Sequence, residues 1–191
     1  MGHREDLLEG AKRCLLEKGY ARTTARDIVA ASGTNLASIG YHYGSKDALL
    51  HQAFLAVTEE WGDAVGPAGR EEFDAPKDAL ERFRKTWEEV LATFDSSRPV
   101  WKLQLEVVSR LDDDEKLRDA IRDPQAEGRL GLAEAFAGTD PVVDPEKARV
   151  TGLFYQALLA GVMIQWLVDP DTAPSADDLT NGLRAVLEDR S

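Results

Sequence analysis

The fold is decided by residues 24–50, TARDIVAASGTNLASIGYHYGSKDALL. Thr24 has the side chain of a helix N-cap, with an oxygen able to accept one of the backbone N–H groups that a first turn leaves unpaired. Asp27, three residues on, stands where a capping-box acid reaches back and where negative charge suits the positive helix end. Ile28, Val29, Ala31 and Ser32 give this helix one small face. Gly33 then ends it, because glycine enters the left-handed region without steric cost. Asn35 caps a second short helix in which Ile39 and Tyr43, four residues apart, share a face. Leu36, Ala37, Ser38, Tyr41 and His42 are left largely on the other faces. Two short helices joined by a glycine-containing turn predict a helix-turn-helix, whose second helix fits a DNA major groove.

The flanking sequence supports this. Residues 4–18 predict a first helix with Leu7 or Leu8, Ala11, Cys14 and Leu15 inward, stopped by Gly19. Ser45 caps a fourth helix, Lys46 to about Val65, with Leu49, Leu50, Ala53, Phe54, Val57 and Trp61 in one stripe. Gly19-Tyr20, Thr23-Thr24, Ile28, Gly33, Tyr41-His42-Tyr43 and Lys46 to Leu50 together resemble the DNA-binding head of the TetR family of transcriptional regulators. The resemblance covers the first 50 residues and implies that the start of the recognition helix and its Tyr-His end meet DNA. On this chain those positions are Asn35, Leu36, Ala37, Ser38, Tyr41 and His42, with Thr24 and Lys46 on phosphates at helix N-termini. Arg26, and after it Arg4 and Arg22, are further phosphate candidates. Where the family often carries a tyrosine before the aromatic-histidine pair, this chain has Gly40; Leu36 and Ala37 offer only thymine-methyl or shape readout.

The net charge of −12 opposes a partner as negative as DNA, but its distribution removes most of the objection. Residues 1–50 hold seven Lys or Arg against six acids, for +1, and the rest carry −13. A near-neutral head predicts modest non-specific affinity and moderate salt sensitivity. The N-terminus shows no charged-then-apolar leader, and no uninterrupted apolar run reaches about 18 residues, so a soluble, cytoplasmic protein without a membrane partner is expected. The single cysteine, Cys14, reads as a small core residue.

The remainder reads as helices. Gly66 to Gly69 is a break, and Asp74-Ala75-Pro76 opens a helix carrying Leu80, Phe83, Trp87, Val90, Leu91 and Phe94. Val100 to Leu111 follows, with Trp101, Leu105, Val108 and Leu111 on one side; Pro124 kinks or splits the next helix. Glu146 to Val168 is apolar on more than one side, so it is central or shared with a second subunit. Ser175 caps the last helix. The expected fold is all-α with about nine helices: a three-helix helix-turn-helix head, residues 1–48, and a larger ligand-binding and dimerisation body, residues 49–191.

Two-fold symmetry matches half-sites about 34 Å apart, so the expected partners are a palindromic double-stranded operator and a second copy of the chain. Similar proteins dimerise through a four-helix bundle of their last two helices; here Tyr155, Gln156, Leu159, Val162, Leu179, Leu183 and Val186 are the interface candidates, with Gly152 and Gly161 allowing close approach. A small-molecule effector, uncharged or cationic, is assigned to Trp87, Leu91, Phe94, Trp101, Leu105, Val108, Phe136, Phe154 and Leu158, with Gln104 or Glu106 as polar anchor. The same residues equally suit a filled core. The family implies a repressor released by its ligand, with no cofactor. An enzyme is disfavoured, since His3, His42 and His51 lack metal-ligand spacing and no phosphate-binding glycine loop is present. A helix-turn-helix that binds only protein is the remaining alternative.

Overall fold

The computed structural model describes residues 2–65 and 78–188, which contain nine α-helices and no strand. The predicted break at Gly66 to Gly69 and the helix start at Asp74 to Pro76 lie outside the described residues. The helices are α1 (His3–Lys18), α2 (Ala25–Ser32), α3 (Leu36–Tyr43), α4 (Lys46–Val65), α5 (Ala79–Ala92), α6 (Arg98–Val108), α7 (Glu115–Ala137), α8 (Pro145–Val168) and α9 (Ala176–Glu188). They form two compact units, one of Met1–Trp61 with Arg98–Pro124, the other of Gly62–Ser97 with Gln125–Ser191. The unit holding the head therefore also takes in most of α4, all of α6 and the start of α7.

In the first unit the core is Leu7, Ala11, Cys14 and Leu15 of α1, Ile28 of α2, Ile39 and Tyr43 of α3, and the Leu49, Leu50, Ala53, Phe54, Val57 stripe of α4, completed by Leu103, Val107 and Leu117. Each buried Leu, Ile, Val or Phe among these stabilises the fold by about 1.5–3 kcal/mol relative to exposure. Burial pushes the Cys14 thiol pKa up, which suits a packing residue rather than a reactive thiolate. The face of α6 differs from expectation. Trp101 is buried as predicted, but Leu103 and Val107 share its burial, whereas Leu105 and Val108 are exposed. Both rows fit a 3.6-residue period, so only packing against Leu117 and the other core residues decides between them. Pro99 lies in the first turn of α6, where its missing N–H is harmless, and α7 runs through Pro124 as one helix.

The second unit is built on aromatic packing. Phe83 and Trp87 of α5, Phe136 of α7 and Tyr155 of α8 form a chain of rings, with Trp87 5.2 Å from Phe136 and Phe136 stacked on Tyr155 at 4.7 Å. Phe94 meets Trp166 edge-on at 5.4 Å. Gly152 lets the Arg129 backbone of α7 lie where a Cβ would stand, and this turns Gly152, Leu159 and Val162 of α8 inward. The opposite side of α8 carries Val150, Leu153, Phe154, Ile164 and Val168, all exposed. By length and composition α8 is apolar enough to cross a membrane; Thr151, Gln156 and Gln165 interrupt the run that a search for continuous apolar sequence would find.

Candidate nucleic-acid interface

The caps of the helix-turn-helix form as the sequence predicts. Thr24 Oγ1 accepts from the Asp27 N–H at 3.2 Å, and the Asp27 carboxylate accepts from the Thr24 N–H at 2.9 Å. Gly33 ends α2 at φ 68°, in the left-handed region. Asn35 Oδ1 accepts from the Ser38 N–H at 3.1 Å, which leaves its amide N–H groups as donors on an exposed residue. Ser45 caps α4 through the Ala48 N–H.

With Ile39 and Tyr43 buried, α3 presents its other faces outward. Tyr41 is 86% exposed and its ring meets His42 edge-on at 4.8 Å. Leu36 and Ala37 are exposed, Ser38 and His42 half-buried. A Cβ at Gly40 would meet nothing within 4 Å, so this position is a gap in the outward face rather than a packing requirement. The Tyr43 hydroxyl donates to the Arg4 carbonyl at 2.6 Å, and the Arg4 guanidinium lies 5.8 Å from the Tyr43 ring centroid. The start of α1 is thus fixed beside the end of α3, a link absent from any local sequence signal.

Two phosphate candidates change character. The Thr24 hydroxyl donates its proton to Asp27 at 2.6 Å, so it is a cap with no donor to spare. Lys18, at 2.6 Å, together with the Thr24 groups, holds the Asp27 carboxyl well below the usual carboxylate range, which keeps a negative charge at this helix start. Lys46 lies 3.3 Å from Asp47 and shares its charge with that neighbour. Lys12 is buried between Glu9 and Glu60. Arg4, Arg22 and Arg26 are exposed and pair with no acid among the described residues.

Residues 7–53 match the sequence model for bacterial regulatory proteins of the tetR family, and residues 79–189 match that for the C-terminal part of BetI-type transcriptional repressors. The chain belongs to the TetR family. Members of the TetR family are transcriptional regulators, not enzymes. The transcriptional repressor AcnR of Corynebacterium efficiens is 40% identical over 57 residues, 30% of this chain and 28% of AcnR, so that match spans little more than a quarter of the relative. The transcriptional regulator TtgR of Pseudomonas putida is 28% identical over 185 residues, 92% of this chain and 85% of TtgR. Among solved structures, a transcriptional regulator of Saccharomonospora viridis in complex with choline superposes with a TM-score of 0.64 at 25% identity, covering 98% of this chain and 96% of that one.

For a TetR-family body, the residues assigned to an effector separate into two groups. Trp87, Leu91, Phe94, Phe136, Phe154 and Leu158 belong to the second unit, and Trp101, Gln104, Leu105 and Val108 to the first. Trp87 and Phe136 are buried in the aromatic chain and Phe94 is buried against Trp166, Leu91 and Leu158 are half-buried, and Phe154 lies on the exposed face of α8. Trp101 packs on Trp61 at 4.4 Å, while Gln104 is half-buried. Glu106 is no pocket anchor: its carboxylate accepts from the N–H groups of Tyr20 and Ala21.

The dimer candidates differ in their burial within the protomer. Leu159 and Val162 are buried within the protomer, Tyr155 stacks on Phe136, and Gln156 accepts from Arg129 at 2.7 Å. Leu179 and Leu183 of α9 are half-buried, and Val186 is 70% exposed. Gly152 serves the approach of α7, whereas Gly161 has open space in front of it. The apolar row free to meet another chain is Val150, Leu153, Phe154, Ile164 and Val168 with Val186 and Leu187. Of this row the sequence candidates include only Val186; both faces of α8 are apolar, and the Arg129 contact decides which one is buried in the protomer.

Proposed function

We propose that this protein is a cytoplasmic, homodimeric repressor that binds a palindromic operator through α3 and is released from it by a small molecule. Residues 1–48 act as the DNA-binding domain and residues 49–191 as the effector-binding and dimerisation domain. The observation that carries the reading is the outward face of α3, where an 86% exposed tyrosine stands beside His42 on a doubly capped helix-turn-helix. Asn35, Ser38, Tyr41 and His42 supply the polar contacts, Leu36 and Ala37 the apolar ones, and Lys46 a phosphate contact. A lone protomer has little use for an apolar row along the far side of α8, with further exposed apolar residues on α9; a second copy covers it and sets the spacing of two recognition helices.

For the effector, the aromatic chain of the second unit supports a small apolar molecule. The buried Trp87 indole N–H has no hydrogen-bond partner among the described residues, so the ligand carries an acceptor for it. The ring faces suit a cationic group, in keeping with the choline held by the Saccharomonospora viridis regulator. The rings touch one another in the present conformation, and a ligand that parts them stabilises a second one by its difference in affinity. Helix α4 connects the units without a break, with Lys46 to Trp61 in the first and Gly62 to Val65 in the second. Helix α7 crosses the same boundary at Pro124, but α4 is the one that runs directly on from α3 and so carries such a change to the head. A band-shift with duplex from upstream of the protein's own gene, against a scrambled duplex at low salt, tests the reading. Equal binding to both refutes operator recognition.

A further inference from the structure

The loop from Gly19 to Thr23 joins α1 to α2, and a segment more than 80 residues later in sequence grips it. Glu106 of α6 accepts from the Tyr20 N–H at 2.9 Å and the Ala21 N–H at 2.7 Å. A Cβ on Gly19 would lie 2.6 Å from Glu106 Oε2, so Gly19 is needed for this carboxylate as well as for its φ of 85°. Four residues beyond Glu106, the Arg110 guanidinium lies 5.3 Å from the Tyr20 ring centroid. Four further on, Asp114 Oδ2 is 3.4 Å from His51 Nε2 of α4, and the His51 ring stacks on Tyr20 at 6.4 Å. Acid, base and acid at positions 106, 110 and 114 thus hold the loop backbone, lie against the Tyr20 ring and stand beside His51 of α4 in turn.

We propose that Glu106 is a positioning residue for DNA binding, its carboxylate fixing the loop that sets where α2 and α3 present their outward faces. This rests on the DNA-binding reading of α3. Local contacts already close the loop, since Thr23 Oγ1 donates to the Gly19 carbonyl at 2.7 Å and Arg22 Nε to the Lys18 carbonyl at 2.6 Å. The Ala21 N–H sits in an exposed setting where water can replace the carboxylate. What Glu106 adds is therefore a fixed distance between α6 and the head more than stability. Such a distance matters because a docked helix must meet the groove within a fraction of an ångström.

The test compares the full-length wild type with Glu106→Ala, Glu106→Gln and Asp113→Asn. It reads amide hydrogen exchange at Tyr20 and Ala21, melting temperature, and affinity for duplex from upstream of the gene. In Glu106→Ala both amides exchange about tenfold faster or more, the melting temperature moves little, and duplex affinity falls about tenfold. Removing a negative charge favours a polyanion on electrostatics alone, so this loss has the opposite sign from a simple charge effect. Glu106→Gln keeps the length and one acceptor oxygen and recovers part of the affinity. If Glu106→Ala does not fold, the Gln variant carries the same comparison. Asp113→Asn, an exposed charge control, leaves the amides protected and the affinity equal or slightly higher. Amides that stay protected in Glu106→Ala, or released amides with unchanged or tighter duplex binding, overturn the proposal. A wild type that binds no duplex defeats the DNA-binding reading and the proposal with it, whereas equal binding by wild type and variant defeats the proposal alone.

Discussion

Helices α3 and α8 both expose more than their packing needs, but they expose different things. Helix α3 buries Ile39 and Tyr43 and presents an amide, a hydroxyl, a phenol and an imidazole around them. Helix α8 buries Leu159, Val162, Met163 and Trp166 and presents a second apolar row on its far side. On the proposed reading, the first surface meets a polar, charged partner and the second a copy of the chain. The lesson is that the face a helix does not need for folding sets the chemistry it can offer to a partner.

Substitutions on the two sides should separate folding from partnership. The largest effect is expected in the head's own core. Ile28→Ala, at a fully buried position, should destabilise the protein by about 2–5 kcal/mol in denaturant unfolding. A loss below about 1 kcal/mol would mean that α2 is not anchored there. Next, Phe154→Glu should leave the helical content and melting of the protomer nearly intact. It should raise the dimer dissociation constant about 30-fold or more, roughly 2 kcal/mol, in sedimentation equilibrium. If the assembly state is unchanged, the exposed face of α8 is not the interface.

A pH series sharpens the head side of the contrast. The Lys18 ammonium, then the Thr24 hydroxyl and N–H, depress the Asp27 pKa, so ionised Asp27 contributes stability above the ordinary carboxylate pKa of about 3.9. That contribution is lost as pH falls from there through the depressed value. The wild-type melting temperature should consequently drop more steeply below pH ~4 than that of Asp27→Asn. Parallel curves would show that the cap does not titrate in this way. The smallest effect belongs to Gly40→Ala, which fills open space in α3 and should stabilise by roughly 0.5–1 kcal/mol in thermal melts. A destabilised variant would mean that Gly40 relieves a strain not evident in its surroundings.

Much of the head was legible because its signals are local. Thr24 and Asp27, Asn35 and Ser38, Gly19 and Gly33 each act within a few residues, so their roles follow from spacing. The face of α6 was not, since Leu103 and Val107 compete with Leu105 and Val108 for the same interior on equal periodicity. Which apolar face of α8 is buried in the protomer was out of reach for the same reason, settled only by the backbone of Arg129 filling the space before Gly152. Glu106 was out of reach because its partners, the Tyr20 and Ala21 amides, lie 86 and 85 positions away. Thr24 was half legible: its capping follows from sequence, but the commitment of its hydroxyl proton to Asp27 depends on side-chain geometry.

The central claim is that the outward side chains of α3 read DNA, and the double variant Tyr41→Ala with His42→Ala tests it most directly. Tyr41 is exposed and the half-buried His42 is not among the core residues, so circular dichroism and melting should match the wild type. Binding to the upstream duplex should fall by about 1–3 kcal/mol for each lost contact, which removes the specific complex at working concentrations. A well-folded variant that still binds the duplex with wild-type affinity would contradict the account.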